Sequence, residues 1–543
     1  MKRVSSTSSE LNDFEEEGGK KVYYVSKSRL VSLINWVHVA GTYAPFIFYG
    51  LLTVLCGQLL HKMFELGFDV REFISSEVYT IEMPRKLAFE FGWKTCAICL
   101  GLFGYWTGAS KPTFLVDFVC FEPPDEWKMS HEQLLQIMRN QGCFTEESIA
   151  FLGRMLQHSG CGPSTAWPPG ILKCMQANQS SDRTAEAARQ ESETVIYGVV
   201  RDLLKKTKTH PKDIDILIIN CSLFSPTPSL CSMVINEFSM RSDVSSYNLS
   251  GMGCSAGLIS IELAQNILAA RPNAKALVVS TENLTQNLYH GNERPFLLQN
   301  TLFRCGGAAI LLTNRWMDGY RSIFKLMHCV RTQYVSEDSF GCVYETEDSA
   351  NHRGVRLSKD IVKVAGRAME KNFTTLGPHV LPISEQLKTV FWMAVKAMQK
   401  FAKSRGLLSE DSPRINPYIP DFKRGIDHFC IHAGGRGVID GIEKNLSLSP
   451  EHVEASRHAL YTYGNTSSSS IWYEMDYIRD RMNLRSGQRV LQVAFGSGFK
   501  CNSAVWLCIN GTAGKPPTKP KYMPQTHINN VHNDEQGESK KNK

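Results

Sequence analysis

Three residues in this 543-residue chain have types and positions that could do chemistry together: Cys254, a candidate nucleophile, with His432 and Asn465. Cys254 stands in NLSGMGCSAGLISIELAQNIL, where Gly251 and Gly253 permit a tight turn and a helical run opens near Ser255. Leu258, Ile259, Ile261, Leu263 and Ile267 recur at roughly helical spacing, so that helix has an apolar face to bury. A cysteine at such a helix start meets unpaired backbone N–H groups and the positive end of the helix dipole. That setting favours the thiolate, which is the nucleophile. Most free cysteines are simply small buried hydrophobes. The elbow alone therefore does not decide the role of Cys254.

A repeat strengthens the nucleophile reading. DIDILIIN at 213–220 matches GIDHFCIH at 425–432, GMGCSAG matches YGNTSSSSIWYE, and ALVVSTE matches VLQVAFG. Asn220 and His432 stand 212 residues apart, Cys254 and Asn465 211, and Leu277 and Leu491 214. Three units in one order at a nearly constant offset indicate two copies of one α/β unit. Cys254, His432 and Asn465 then fall at matched loop ends.

The length exceeds one ordinary domain, and 43% hydrophobic residues supply a large core. The formal charge of +7 is mild and its basic residues are dispersed, so no stripe points to nucleic acid. Sixteen cysteines are scattered through apolar runs with no cleavable signal, and read as reduced, cytosol-facing thiols.

In chain order, residues 1–28 read as a flexible polar tail. From Leu30 to Leu60 there is no Asp, Glu, Lys or Arg, a run longer than the roughly 20 residues that cross a bilayer. A second run, about 89–110, spans if Lys94 snorkels. Two spans form a hairpin and place the N-terminus and the large domain on one side. Basic residues do not choose the side, with six up to Arg29 and five from Lys62 to Lys94. HSGCGPSTAWPPG at 158–170 reads as a loop, Thr184–Lys206 as a long helix and 333–357 as an exposed, irregular connection. The two halves are expected at 113–383 and 384–510, followed by a disordered Lys/Pro/Asn-rich tail at 511–543. That tail ends KKNK, similar to the dilysine retrieval address of endoplasmic-reticulum membrane proteins, which is read from the cytosol.

NLSGMGCSAG, ENLTQNLYHGNERPFLLQNTLFRCGGAAILL, LSKDIVKVAGRAMEKNFTTLGPHVLPISEQL, HFCIHAGGRGVIDGIEKNL and YGNTSSSSIWYE resemble the plant-type 3-ketoacyl-CoA synthases. These are the condensing enzymes of very-long-chain fatty acid elongation. The resemblance covers roughly Leu30 to Asn510. It implies an α/β thiolase fold, five αβαβα layers in two related halves, behind two N-terminal transmembrane helices.

By the same resemblance Cys254, His432 and Asn465 form the catalytic triad. Cys254 takes the acyl group from an acyl-CoA, splitting one hard step into two. Malonyl-CoA then loses carbon dioxide, and His432 and Asn465 donate hydrogen bonds to the enolate oxygen. The backbone N–H groups of Cys254 and of the FGSGF loop near Gly498 hold the second oxyanion. No metal or cofactor beyond the two CoA substrates is implied. A homodimer, membrane embedding and the reductase and dehydratase subunits of an elongase are the implied partners.

His328 and His428 are expected to support the fold or the site, while Cys221, Cys231, Cys305, Cys430 and Cys501 read as core. Lys500 and Arg436 could meet CoA phosphates. The sequence departs from the family at Tyr461, where a histidine is common, and at His290, where an aromatic residue is usual and chain-length preference could change. A thiolase would carry a second cysteine in the C-terminal glycine loop, and Cys501 comes too late for that. A soluble polyketide synthase would lack the membrane runs. A non-catalytic elongase scaffold remains the alternative from a different class.

Overall fold

The computed structural model describes residues 112–175, 179–405, 409 and 418–512, together with four short strands near the N-terminus. Phe14–Glu17 pairs antiparallel with Lys20–Tyr23 inside the segment expected to be a flexible tail. Tyr79–Glu82 pairs with Ala88–Phe91, so the residues that open the expected second membrane run are extended. The remainder of both expected spans and the chain beyond Thr512 lie outside the described residues.

Nine strands form the sheet that positions the site. They are β1 (Phe114–Cys120), β2 (Ile216–Asn220), β3 (Ser245–Leu249), β4 (Lys275–Thr281), β5 (Gly307–Thr313), β6 (Phe324–Gln333), β7 (His428–Ile431), β8 (Arg489–Gly496) and β9 (Lys500–Cys508). Their order is β7-β8-β9-β6-β1-β5-β4-β2-β3. Only the pairs Phe324–Leu115 and Lys325–Phe114 join β6 to β1, and the strands on either side of this seam mirror each other. β2 runs parallel to β4 as β7 does to β8, while β4–β5 and β8–β9 are antiparallel. Leu217 lies opposite Leu277, and Phe429 lies opposite Leu491. Residues related by the repeat offsets thus hold the same register in the two halves.

Seven helices matter for the site: α1 (Ala185–Thr207), α2 (Ala256–Ala270), α3 (Ile361–Val380), α4 (Ile383–Ser404), α5 (Arg436–Leu446), α6 (Pro450–Tyr463) and α7 (Ser470–Arg481). Thr184 caps α1 by accepting the Ala187 N–H, which is why the helix starts there.

Strand residues point alternately to opposite faces, and this alternation builds the layers. Ile216, Ile218, Val278, Val490 and Ala494 face a central core with Leu258 and Ile261 of α2 and Trp472 and Ile478 of α7. Leu217, Ile219 and Leu277 face the other way, onto Val195, Ile196 and Val199 of α1. Phe429, Leu491 and Val493 pack on Phe373 and Leu376 of α3 and on Ile439 and Ile442 of α5. The result is five layers, helices outside two half-sheets with two helices between them. β2 and β4 are buried on both faces, which explains their continuous apolar runs ILII and ALVV. Among the described residues one stretch, Gly253–Ala270, is apolar and long enough to cross a bilayer, and it is this central helix with its lead-in turn.

The two central helices start alike. Each follows a 3₁₀ turn, Gly253–Ser255 or Ser467–Ser469, with Gly253 at φ 67° and Ser467 at φ 55°. This match corrects the alignment of the second unit by three residues. Cys254 corresponds to Ser468, and Asn465 comes from the extended segment just before the turn.

Gly257 lies where α2 meets that second turn, and a Cβ on it would sit 2.5 Å from the Ser468 carbonyl oxygen. Gly257→Val is expected to force the central helices apart and to cost about 1–3 kcal/mol of stability. The thermal unfolding midpoint of the variant checks this, and an unchanged midpoint would contradict it.

Candidate active site

Cys254 sits in the turn ahead of α2. At Gly253 the positive φ and the space both demand glycine, since a Cβ would lie 2.6 Å from the Ser497 backbone nitrogen. The Gly253 N–H donates to Ser222 Oγ at 3.0 Å. The close approach of Ser497 brings the FGSGF loop against the elbow, as the repeat requires of the β8–β9 connection.

Cys254, His432, Asn465 and the Gly496–Ser497–Gly498 loop all line one cavity of about 730 Å³. That volume lies within the range of small-molecule sites. The residues expected to act together are therefore brought together, although they come from both halves of the chain.

His432 follows β7, and its backbone N–H donates to the Val493 carbonyl at 2.9 Å. Its Nδ1 lies 2.6 Å from Ser470 Oγ, which leaves Nε2 for the cavity. Burial pulls the imidazole down to about 4, so it is neutral at pH 7. The single Ser470 proton has two acceptors, His432 Nδ1 and the Ser467 carbonyl at 3.0 Å. When it goes to the carbonyl, Nδ1–H donates to Ser470 and Nε2 carries the lone pair of a base.

Asn465 is held from both sides. Its Oδ1 accepts the Ser467 N–H at 2.9 Å, while Nδ2 lies 3.5 Å from the Gly434 carbonyl oxygen. With the carbonyl end engaged, the amide N–H₂ is the end that can serve a ligand. Arg304 braces this segment, its own N–H donating to the Asn465 carbonyl at 2.9 Å and its guanidinium stacked 4.6 Å over Trp167.

Cys254 does not rest as the thiolate expected from the helix start. Burial pushes its thiol up to about 11 and the nearby Glu282 carboxyl pushes the same way, against the pull of the Ser467 hydroxyl. Desolvation of a charged sulfur outweighs a favourable helix end. A thiol held there would need deprotonation to act as a nucleophile, and neutral His432 in the same cavity is suited to take the proton.

Two residues of this centre were not singled out by motif reading. Ser467 Oγ lies 3.5 Å from Cys254 Sγ and 3.1 Å from Glu282 Oε2. Glu282 also accepts the Ser222 and Leu223 N–H groups at 3.0 and 2.8 Å, and burial raises its pKa. A lone acid closing the apolar strand ALVVST was the available signal.

The loop carrying Glu282 is itself held by a second buried acid. Glu191 of α1 accepts the Leu284 N–H at 3.0 Å and the Thr285 N–H at 2.9 Å. Burial raises Glu191 from 4.5 to about 7. Between these values the folded chain keeps a proton that the unfolded chain releases. Stability therefore falls as pH rises through this window, by about 3 kcal/mol when complete. Glu191→Gln should abolish that contribution, so unfolding midpoints of variant and wild type should diverge progressively from pH 4.5 to 7. Parallel curves would contradict the assignment.

The 333–357 segment is not an irregular surface connection. Val343–Glu347 pairs with Arg353–Leu357 in a hairpin, and Val343, Tyr344, Val355 and Leu357 line the cavity. Its polar sequence concealed this, because one side of the hairpin faces solvent. Lys500 and Arg436 also line the cavity, with Lys500 Nζ donating to the Ser497 carbonyl at 2.8 Å.

His328 and His428 do not line it. His328 lies on β6 with its ring 4.9 Å from that of His379, and His428, on β7, has its Nε2 3.2 Å from Oε1 of Gln488, just ahead of β8. Both belong to the fold. His290 is also outside the cavity lining, its Nε2 3.0 Å from Ser181 Oγ. Cys221, Cys231, Cys305, Cys430 and Cys501 are buried as expected.

Comparison with known proteins agrees with this geometry. Residues 105–398 match the family described as FAE1/Type III polyketide synthase-like protein, and residues 425–509 match Chalcone and stilbene synthases, C-terminal domain. 3-ketoacyl-CoA synthase 6 of Arabidopsis thaliana is 49% identical over 417 residues, covering 77% of this chain and 80% of that protein. Probable 3-ketoacyl-CoA synthase 20 of Oryza sativa subsp. japonica is 47% identical over 415 residues, covering 76% of each. Among solved structures, the C-terminal type III polyketide synthase domain of Steely1 from Dictyostelium superposes with a TM-score of 0.55 at 18% identity, covering 74% of this chain and all of that one. The 1,3,6,8-tetrahydroxynaphthalene synthase of Streptomyces coelicolor gives 0.53 at 20% identity, covering 73% of this chain and 100% of its own.

The five-layer fold and the Cys–His–Asn cavity define a thiolase-type condensing enzyme. Within that class the chain belongs to the 3-ketoacyl-CoA synthase family and is an acyltransferase.

Proposed function

We propose that this enzyme condenses malonyl-CoA with a long-chain acyl-CoA through an acyl thioester on Cys254. The observation that carries this is the convergence of Cys254, His432 and Asn465 on one cavity. His432 Nε2 takes the Cys254 proton, the sulfur attacks the acyl-CoA carbonyl, and the bond to CoA breaks so that CoA leaves as a thiolate that takes its proton from solvent. The proton now on Nε2 makes His432 a donor. With Asn465 Nδ2 it holds the enolate oxygen left when malonyl-CoA loses carbon dioxide. The enolate carbon then attacks the Cys254 thioester and its bond to sulfur breaks, giving a 3-ketoacyl-CoA two carbons longer and a Cys254 thiolate that takes back the proton on His432 Nε2. Backbone N–H groups of Cys254 and Gly498 stabilise the oxyanion of the thioester, and Lys500 and Arg436 meet the CoA phosphates. The chemistry uses no cofactor beyond the CoA substrates.

The uncharged run Leu30–Leu60 supports residence in a membrane, which we read as that of the endoplasmic reticulum with the catalytic halves in the cytosol. A homodimer working beside the reductases and dehydratase of an elongase fits that location. A panel of saturated and monounsaturated acyl-CoAs, supplied with labelled malonyl-CoA to membranes containing the enzyme, tests the substrate class. Two-carbon-longer 3-ketoacyl products from the long chains are expected; products from short or aromatic starters alone would overturn it.

A further inference from the structure

Helix α4 is amphipathic the wrong way round for a helix packed on a protein core. Ile383, Leu387, Val390, Phe391, Met398 and Phe401 are 55–74% exposed. At 3.6 residues per turn they fall on one stripe about a third of the circumference wide. The opposite face holds the anchor. Glu385, only 1% exposed, accepts Tyr418 Oη at 2.5 Å, Arg424 Nη1 at 2.9 Å and Lys388 Nζ at 2.9 Å. This polar cluster fixes the rotation of the helix and holds the apolar stripe outward.

The charges point to what meets the stripe. From Ile383 to Arg405 the chain carries Lys388, Lys396, Lys400, Lys403 and Arg405 against one acid, Glu385. Protein interfaces are depleted in lysine. An apolar stripe with Phe residues on a lysine-rich helix of moderate hydrophobicity is instead the pattern of a helix lying in the headgroup layer of a bilayer. Lys396 and Lys403 lie on the side opposite the stripe and Lys400 between the two, the lysine-bearing polar side that such a helix turns toward anionic headgroups.

We propose that α4 is an interfacial membrane helix, seated with its Leu387–Phe391–Met398 stripe against the acyl chains of an anionic lipid surface. The site does not depend on the condensing reaction, and its test is read separately from activity. An environment-sensitive fluorescent amino acid is placed at Phe391, at Met398 or, on another face, at Lys396. Each full-length protein is reconstituted into phosphatidylcholine vesicles with or without phosphatidylserine, and condensation activity confirms folding.

Lipids carrying nitroxides on their acyl chains should quench the probes at 391 and 398 at least about twofold more than the probe at 396. Phosphatidylserine should deepen that quenching, and Leu387→Glu should reduce it. Equal quenching at all three positions, or none, would overturn the proposal. So would dry probes at 391 and 398 that lipid nitroxides do not reach but that cross-link to a second copy or to residues 1–111, because the stripe would then be a protein contact.

Discussion

Cys254→Ala is expected to leave no 3-ketoacyl product, a loss of at least about 10⁴-fold, from protein that still folds. Cys254 is half-buried at the mouth of α2, where alanine fills less space and leaves the turn intact. Intact-mass analysis after incubation with acyl-CoA alone should show an acyl adduct on wild type and none on the variant. An adduct that persists would move the nucleophile elsewhere. Residual condensation without an adduct would mean direct transfer between CoA thioesters. Alkylation rate is a poor substitute for this experiment, because a thiol held near 11 labels slowly even when catalytic.

His432→Ala and Asn465→Ala should separate the two half-reactions. Each removes one donor to the enolate oxygen, and such a donor is typically worth about 10²–10³ in rate. Asn465 has no proton to take from Cys254, so Asn465→Ala should still form the acyl adduct while releasing carbon dioxide from malonyl-CoA far more slowly. His432→Ala should impair both steps, since the same Nε2 that deprotonates the thiol later donates to the enolate. Rapid-quench adduct formation and carbon dioxide release, measured side by side, check this. Normal adduct formation in His432→Ala would assign the proton to another acceptor.

Much of this site was legible in linear sequence for a physical reason. Each half rebuilds the same buried parallel pair, so DIDILIIN and GIDHFCIH had to keep apolar runs of equal length before their functional residues. The Cys254 elbow was legible because a sharp turn into a buried helix needs glycine at Gly253 and apolar residues after it. Ser467 and Glu282 were harder to find. They stand 185 positions apart, and only the packing of the two halves makes a 3.1 Å contact between them. The hairpin at 343–357 was concealed by its polar outer side.

By itself the sequence determined the repeat and the class of chemistry and pointed to three candidate reacting residues, because local turns and strand burial constrain residue types directly and the family motifs stand in linear order. Tertiary structure decided how those residues behave. Burial keeps Cys254 a thiol and His432 neutral, reversing the charge state that the helix start alone suggested. It also decided which way α4 faces. A helical apolar stripe is ordinarily read as core, and here the buried Glu385 cluster turns that stripe outward. Charge states and the orientation of a helix depend on what surrounds a residue in space, and linear spacing does not carry that information.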